Sequence, residues 1–131
     1  MKTWAVVGLG NNPNRAAFGV AKLLQEKGHR IIPVYPRAEI VHGEIGYKTL
    51  SEIGQPVDVV DCFVNSSLVG KVVDEAIAIG AKAVWLQLEV IDYAAISRAQ
   101  AAGLLTVMNR CPAIEYQNRY LKASFMASSS F

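Results

Sequence analysis

Cysteine is scarce, charge of either sign is sparse, and no long uninterrupted apolar run occurs in this chain of 131 residues. The two cysteines, Cys62 and Cys111, lie far apart and lack metal-ligand spacing. A domain of this size holds enough apolar material to fold without cross-links, so both are read as reduced thiols. Charged residues make up 18% of the chain and sum to +2. That excludes charge-driven disorder and the broad basic surface of a general nucleic-acid binder, and any phosphate recognition has to be local. The richest apolar stretch, Ile77 to Ile91, is broken by Lys82 and Glu89, short of the roughly 18 apolar residues of a membrane span. No membrane partner is expected. The N-terminus enters a strand-like run at once, without the basic segment, apolar segment and small-residue cleavage site of a secretory signal. The expected location is cytoplasmic.

What is present is an alternation. Short, mostly continuous apolar runs at Trp4 to Val7, Arg30 to Val34, Val57 to Phe63, Ala83 to Leu88 and Leu105 to Met108 suit strands buried on both faces. Between them lie helical patterns. Asn14 to Lys27 places Ala17, Val20, Ala21 and Leu24 on one stripe before Gly28; Asn14 is the expected cap. Ser67 to Ile79 turns Val69, Val72, Val73, Ala76 and Ile77 inward before Gly80, and Asp92 to Ala102 runs from an Asp cap to Gly103. The fold class is therefore α/β, a Rossmann-like doubly wound parallel sheet of five main strands, with expected order 3-2-1-4-5. Tyr35 to Pro56 reads as a long irregular crossover with a weak helical piece at Thr49 to Ile53. One domain over 1–123 is expected, and 124–131 reads as a frayed end.

Val6-Val7-Gly8-Leu9-Gly10-Asn11-Asn12-Pro13-Asn14-Arg15 leaves a buried strand and opens a helix. At that place in a parallel sheet, free amides and the positive end of the helix dipole suit a phosphate. Gly8 and Gly10 allow close backbone approach, Asn12 offers an amide, and Arg15 a cation. The plainer alternative is a tight turn that needs glycine for geometry alone. NAD-binding folds place an acidic residue after the second strand, to read the ribose. Here the chain continues Tyr35-Pro36-Arg37, with no acidic residue until Glu39. A cation suits a phosphorylated ribose, as in NADP or the 3′-phosphate of coenzyme A.

In ordered blocks over Lys2 to about Tyr116, the sequence resembles the stand-alone coenzyme A-binding proteins related to the nucleotide-binding domain of the succinyl-CoA synthetase α subunit. The blocks are Val7-Gly8-Leu9 with Arg15, Gly28 to Pro36, Pro56 to Asp61, Glu75 to Lys82, Trp85 to Leu88, and Arg110-Cys111-Pro112 before Glu115-Tyr116. The resemblance implies that the first loop holds a pyrophosphate, that the end of the second strand takes the adenosine phosphate region, and that the third and fourth strand ends line the rest. It thereby implicates Gly8, Leu9, Gly10, Asn12, Arg15, Tyr35, Pro36, Arg37, Phe63, Val64 and Gln87, with coenzyme A or a short acyl-CoA as ligand. The sequence departs from the family pattern at Gly10, where serine is usual, and at Tyr35, where asparagine is usual. Val64-Asn65 replaces a common basic residue, and Glu89 stands where glycine is usual.

Other candidates have plain readings. Asp58 and Asp61 bracket two valines and suit cap or turn roles better than paired acid–base catalysis. His29 and His42 read as surface residues, Trp4 and Trp85 as packing, and the cysteines as small apolar residues rather than partners for a coenzyme thiol. No ordered nucleophile, base and transition-state stabiliser is visible, so the expectation is a binding module, not an enzyme. An NADP-dependent reductase fragment, and a regulatory module that has lost its ligand, are the rival readings. A protein partner or homo-oligomer is left open.

Overall fold

The computed structural model of the protein describes residues 2–117; the expected frayed end at 124–131 lies outside the described residues. The strands are β1 (Thr3–Val7), β2 (Arg30–Val34), β3 (Val59–Cys62), β4 (Ala83–Leu86) and β5 (Leu105–Val107), all paired in parallel. The helices are α1 (Ala16–Glu26), α2 (Ser66–Ala78), α3 (Tyr93–Ala101) and α4 (Pro112–Gln117).

The near-continuous apolar strands are explained by helices on both faces. On one face Trp4, Val6, Ile31, Val59, Ala83 and Trp85 pack against Ala17, Val20, Ala21 and Leu24 of α1, with Ala113 of α4 alongside. On the other face Ala5, Val7, Ile32, Val34, Val60, Cys62, Val84 and Leu86 pack against α2 and α3 through Val69, Val73, Ala76, Ala95, Ile96 and Ala99. Each fully buried Leu, Ile or Val on either face contributes on the order of 1.5–3 kcal/mol by leaving water.

The strand order is β2-β1-β3-β4-β5, so β3 lies against β1 and not outside β2 as the expected order had it. The hand of the crossovers supplies the reason. A right-handed β-crossover-β unit links the direction of travel across the sheet to the face the connection covers. The β1-to-β2 step uses α1 on one face, whereas Leu50 and Ile53 of the β2-to-β3 connection pack on the opposite face with α2 and α3. The direction must therefore reverse, which carries the chain from β2 back past β1 and sets β3 on the free edge of β1. Since α2 and α3 cover that same face, β4 and β5 continue outward.

The crossover is less superficial than its composition suggests. Val41, Leu50 and Ile53 are buried, and Leu50–Glu52 form a single 3-10 turn. Tyr47 binds alongside β2 by donating to the Pro33 carbonyl and accepting from the Tyr35 amide, both at 2.9 Å. At the end of α1, Gly28 has φ +90°, the left-handed stop expected there. The Asp92 carboxylate accepts from Ala95 N at 3.0 Å as the expected cap of α3. Asn14 does not cap α1: the N-cap is Arg15, without a side-chain bond. Instead Asn12 folds the turn, accepting from Asn14 N with its side chain and from Arg15 N with its carbonyl, each at 3.0 Å.

Candidate functional site

Because the strand order reverses between β1 and β3, the chain leaves their carboxyl ends in opposite directions and opens a crevice there. Two adjoining cavities of about 680 and 490 Å³ fill this crevice and share Gly8, Arg15 and Tyr35. The larger is walled mainly by apolar side chains, among them Val7, Val34, Phe63, Val64, Leu68 and Val90. The smaller is polar and runs along Gly10, Asn11, Asn12, Arg15, Arg37 and Glu39.

Packing requires glycine at Gly8 and crowds Gly10. Gly8 has φ +99° and its α-carbon lies so near the Phe63 carbonyl that a Cβ would collide with it. Its amide donates to Val34 O at 2.8 Å, while Phe63 N donates to Val7 O at 2.9 Å, so the strand ends are stitched together at the crevice floor. Gly10 sits under Tyr35 and Glu39; a Cβ there would stand 2.8 Å from Glu39 Oε1 and 3.3 Å from the Tyr35 ring. The close approaches are thus to protein neighbours. The amides of Leu9, Gly10 and Asn12 make no hydrogen bond among the described residues, and α1 carries no acidic residue in its first turn. Its positive end, through Arg15, Ala16 and Ala17, meets the larger cavity.

Of the residues the sequence singled out, Gly8, Gly10, Asn12, Arg15, Tyr35, Pro36, Arg37, Phe63, Val64 and Gln87 line this crevice. Leu9 does not: its side chain is fully buried in the core beside α1, leaving only its backbone to face the loop.

Asp61 is the residue sequence reasoning misjudged. It is a fully buried residue in the middle of β3, far from a cap or turn. Its Oδ1 accepts from Gln87 Nε2 at 2.8 Å, and its Oδ2 has no partner among the described residues. Burial pushes the Asp61 carboxyl up to about 8, opposed in part by the Gln87 hydrogen bond. The carboxyl is thereby held well above the ordinary carboxylate range, and it anchors Gln87, which is buried at the crevice wall. Asp58 instead ties strand starts together, accepting from Thr3 N at 2.8 Å and pairing with Lys82 at 3.7 Å.

The remaining candidates are structural. Burial pushes the Cys62 thiol well above its ordinary range, which leaves it protonated and inert. His29 accepts from Lys2 N and packs against Trp4, and burial lowers its pKa. His42 bonds the Phe18 carbonyl at 2.8 Å and packs on the Phe18 ring.

The sequence reading passed over Lys48, Asn65, Leu68 and Lys71, all of which line the larger cavity. A signal for three of them existed: 65, 68 and 71 recur at the spacing of one helix face, continuing to Glu75. Glu75 in turn ties α2 to the crossover, accepting from Leu50 N at 3.2 Å and Ser51 Oγ at 2.9 Å. Two cations, Lys48 and Lys71, thus stand in the cavity where the sequence lacks the usual basic residue after Phe63. Among the described residues no cluster of His, Cys, Asp or Glu could hold a metal ion, and no helix is long and apolar enough to cross a membrane.

Known proteins are similar to this chain in sequence and fold. The YneT protein of Bacillus subtilis strain 168 is 32% identical over 110 residues, covering 84% of this chain and 82% of that protein. The solved structure of a hypothetical protein from Pyrococcus horikoshii OT3 superposes with a TM-score of 0.85 at 39% identity, covering 88% of this chain and 82% of that one. The fold recurs in a dinucleotide-forming acetyl-coenzyme A synthetase of Ca. Korarchaeum cryptofilum, at a TM-score of 0.72 and 22% identity, covering 82% of this chain and 26% of the synthetase. The profile of the CoA binding domain matches residues 2–117, and the chain therefore belongs to the CoA-binding domain family.

Proposed function

We propose that this protein binds coenzyme A or a short acyl-CoA in the crevice at the carboxyl edge of its sheet, and that it acts by recognition without catalysis of its own. The observation that carries the reading is the continuity of a polar cavity with a largely apolar one through Gly8, Arg15 and Tyr35. Coenzyme A has the matching division: a polyanionic nucleotide at one end and an uncharged pantetheine arm at the other. In this reading the backbone of Gly8, Leu9 and Gly10, together with Asn12 and Arg15, holds the pyrophosphate. Tyr35, Pro36 and Arg37 take the phosphorylated ribose, and Phe63, Val64 and Gln87 line the path of the arm. The binding unit spans 1–123 and works in the cytoplasm, where both cysteines stay reduced.

Calorimetric titration with coenzyme A, its 3′-dephospho form, NAD and NADP tests the reading. Coenzyme A is expected to bind most tightly; tighter NADP binding would replace it with the reductase-fragment reading, and no binding at all would favour a regulatory module without ligand. Arg37→Ala should weaken coenzyme A selectively by about 1–3 kcal/mol if the contact to the 3′-phosphate is direct. An unchanged preference for the 3′-phosphate removes Arg37 from the site.

A further inference from the structure

Glu39 lies five residues beyond the end of β2, yet its carboxylate turns back onto the loop after β1. Oε1 accepts from the Asn11 amide at 2.9 Å, and it stands directly over the bare α-carbon of Gly10. The placement is held from behind. The Asn11 side-chain amide donates to Ile40 O at 2.6 Å. Gly46 presses against the Glu39 backbone so closely that a Cβ there would collide with the Glu39 carbonyl. Ala38, at φ +51°, turns the chain inward. Arg15 and Arg37 line the same cavity, and neither forms an ion pair with Glu39.

A loop amide, a glycine without a side chain and two guanidinium side chains lining the same cavity are the surroundings a phosphate oxygen takes at such a loop. Here a carboxylate oxygen of the protein already has them. We propose that Glu39 is a resident anion of the phosphate loop, which holds the Asn11 amide until a ligand phosphate displaces it and thereby sets the affinity for phosphorylated ligands. The proposal rests on the reading that this loop receives a phosphate. In the free protein the carboxylate satisfies the amide and keeps the loop in shape. On binding, the incoming phosphate has to break that hydrogen bond and approach a like charge, so affinity is held below what the loop would otherwise give.

The alternative role for an acid at this place, accepting from ribose hydroxyls as in dinucleotide-binding folds, predicts the opposite sign on removal. Full-length wild type, Glu39→Gln and Glu39→Ala are titrated with inorganic pyrophosphate, coenzyme A and adenosine at low and high salt. The glutamine keeps an acceptor of the same length, and the Asn11 amide resonance together with the melting temperature verifies that the loop is intact. Both variants are expected to bind pyrophosphate and coenzyme A about fivefold or more tightly than wild type, with the gap shrinking as salt screens the carboxylate. Adenosine binding should not change. Equal or weaker pyrophosphate binding by Glu39→Gln, loss of adenosine binding, or failure of all three chains to bind pyrophosphate overturns the proposal. Equal coenzyme A binding in all three chains keeps the coenzyme A reading and removes the resident anion. Tighter pyrophosphate binding by the variants, with coenzyme A bound by none, does the reverse.

Discussion

Replacing Asp61 by asparagine should change how stability depends on pH more than it changes the structure. The wild-type carboxyl is fully buried and pushed from 3.8 up to about 8. In the unfolded chain it titrates near 3.9. Below about pH 4 it is protonated in both states and contributes no pH dependence. Between about 4 and 8 the folded protein holds a proton that the unfolded chain has released, so rising pH favours unfolding by about 1.4 kcal/mol per unit. Above 8 both states are ionised and the loss is complete. From pH 5 to pH 8 this sums to about 4 kcal/mol, a large part of the roughly 5–15 kcal/mol that stabilises a typical domain. Asparagine has no proton to lose. It keeps an oxygen for the Gln87 hydrogen bond, and its amide placed where Oδ2 lacks a partner adds a cost that does not vary with pH. Urea unfolding of both proteins at pH 5, 6, 7 and 8 gives the comparison, and subtracting the curves cancels titrations common to the two. The asparagine variant should gain on wild type steadily with pH, by about 3–4 kcal/mol over the range. A difference that stays within about 0.5 kcal/mol would show that Asp61 is ionised in the folded state or open to water, and the buried anchor for Gln87 would have to be abandoned.

Two further substitutions test the geometry of the crevice. Gly8→Ala forces a Cβ into the Phe63 carbonyl at a residue with φ +99°; it should cost more than about 3 kcal/mol and lower the melting temperature by about 10 °C or more, and a melt within 2 °C or so of wild type would refute the stitched floor. Glu89 holds φ +68° and its side chain is exposed without a hydrogen bond or ion pair among the described residues, so Glu89→Gly should stabilise by about 0.5–1 kcal/mol as relieved left-handed strain outweighs the added freedom of the unfolded chain; destabilisation in urea titration would contradict that account.

The elements were legible where a local rule acts alone. β2 falls at Arg30–Val34 as read, because an apolar run bounded by a helix-stopping glycine and a proline leaves little choice of limits. The Asp92 cap and the stop at Gly28 followed from backbone chemistry that is the same in any fold. α4 was missed because six residues are too few for a periodic stripe, although Pro112 at its first position and Glu115 in its first turn are ordinary helix-start signals. Glu89 shows the converse: its departure from the usual glycine was visible in the sequence, but the reason for glycine, a left-handed turn after β4, is seen only in the backbone.

The sequence by itself determined the α/β alternation, the glycine-bearing loop after β1 and most of the residues around the crevice, since each depends on neighbours a few positions away. The tertiary structure decided three matters that depend on distant segments. It set the strand order, because the face covered by Leu50 and Ile53, combined with right-handed crossover, sends β3 to the far side of β1. It buried Asp61 and placed it against Gln87, 26 residues on in the chain, so that burial raises the pKa of one of two similar aspartates. It also brought Glu39 across 28 residues to the Asn11 amide. Hydrophobic periodicity reports which way a side chain faces, but charge state and hydrogen-bond partners are set by what else reaches the same point in space, and only the folded backbone brings those groups together.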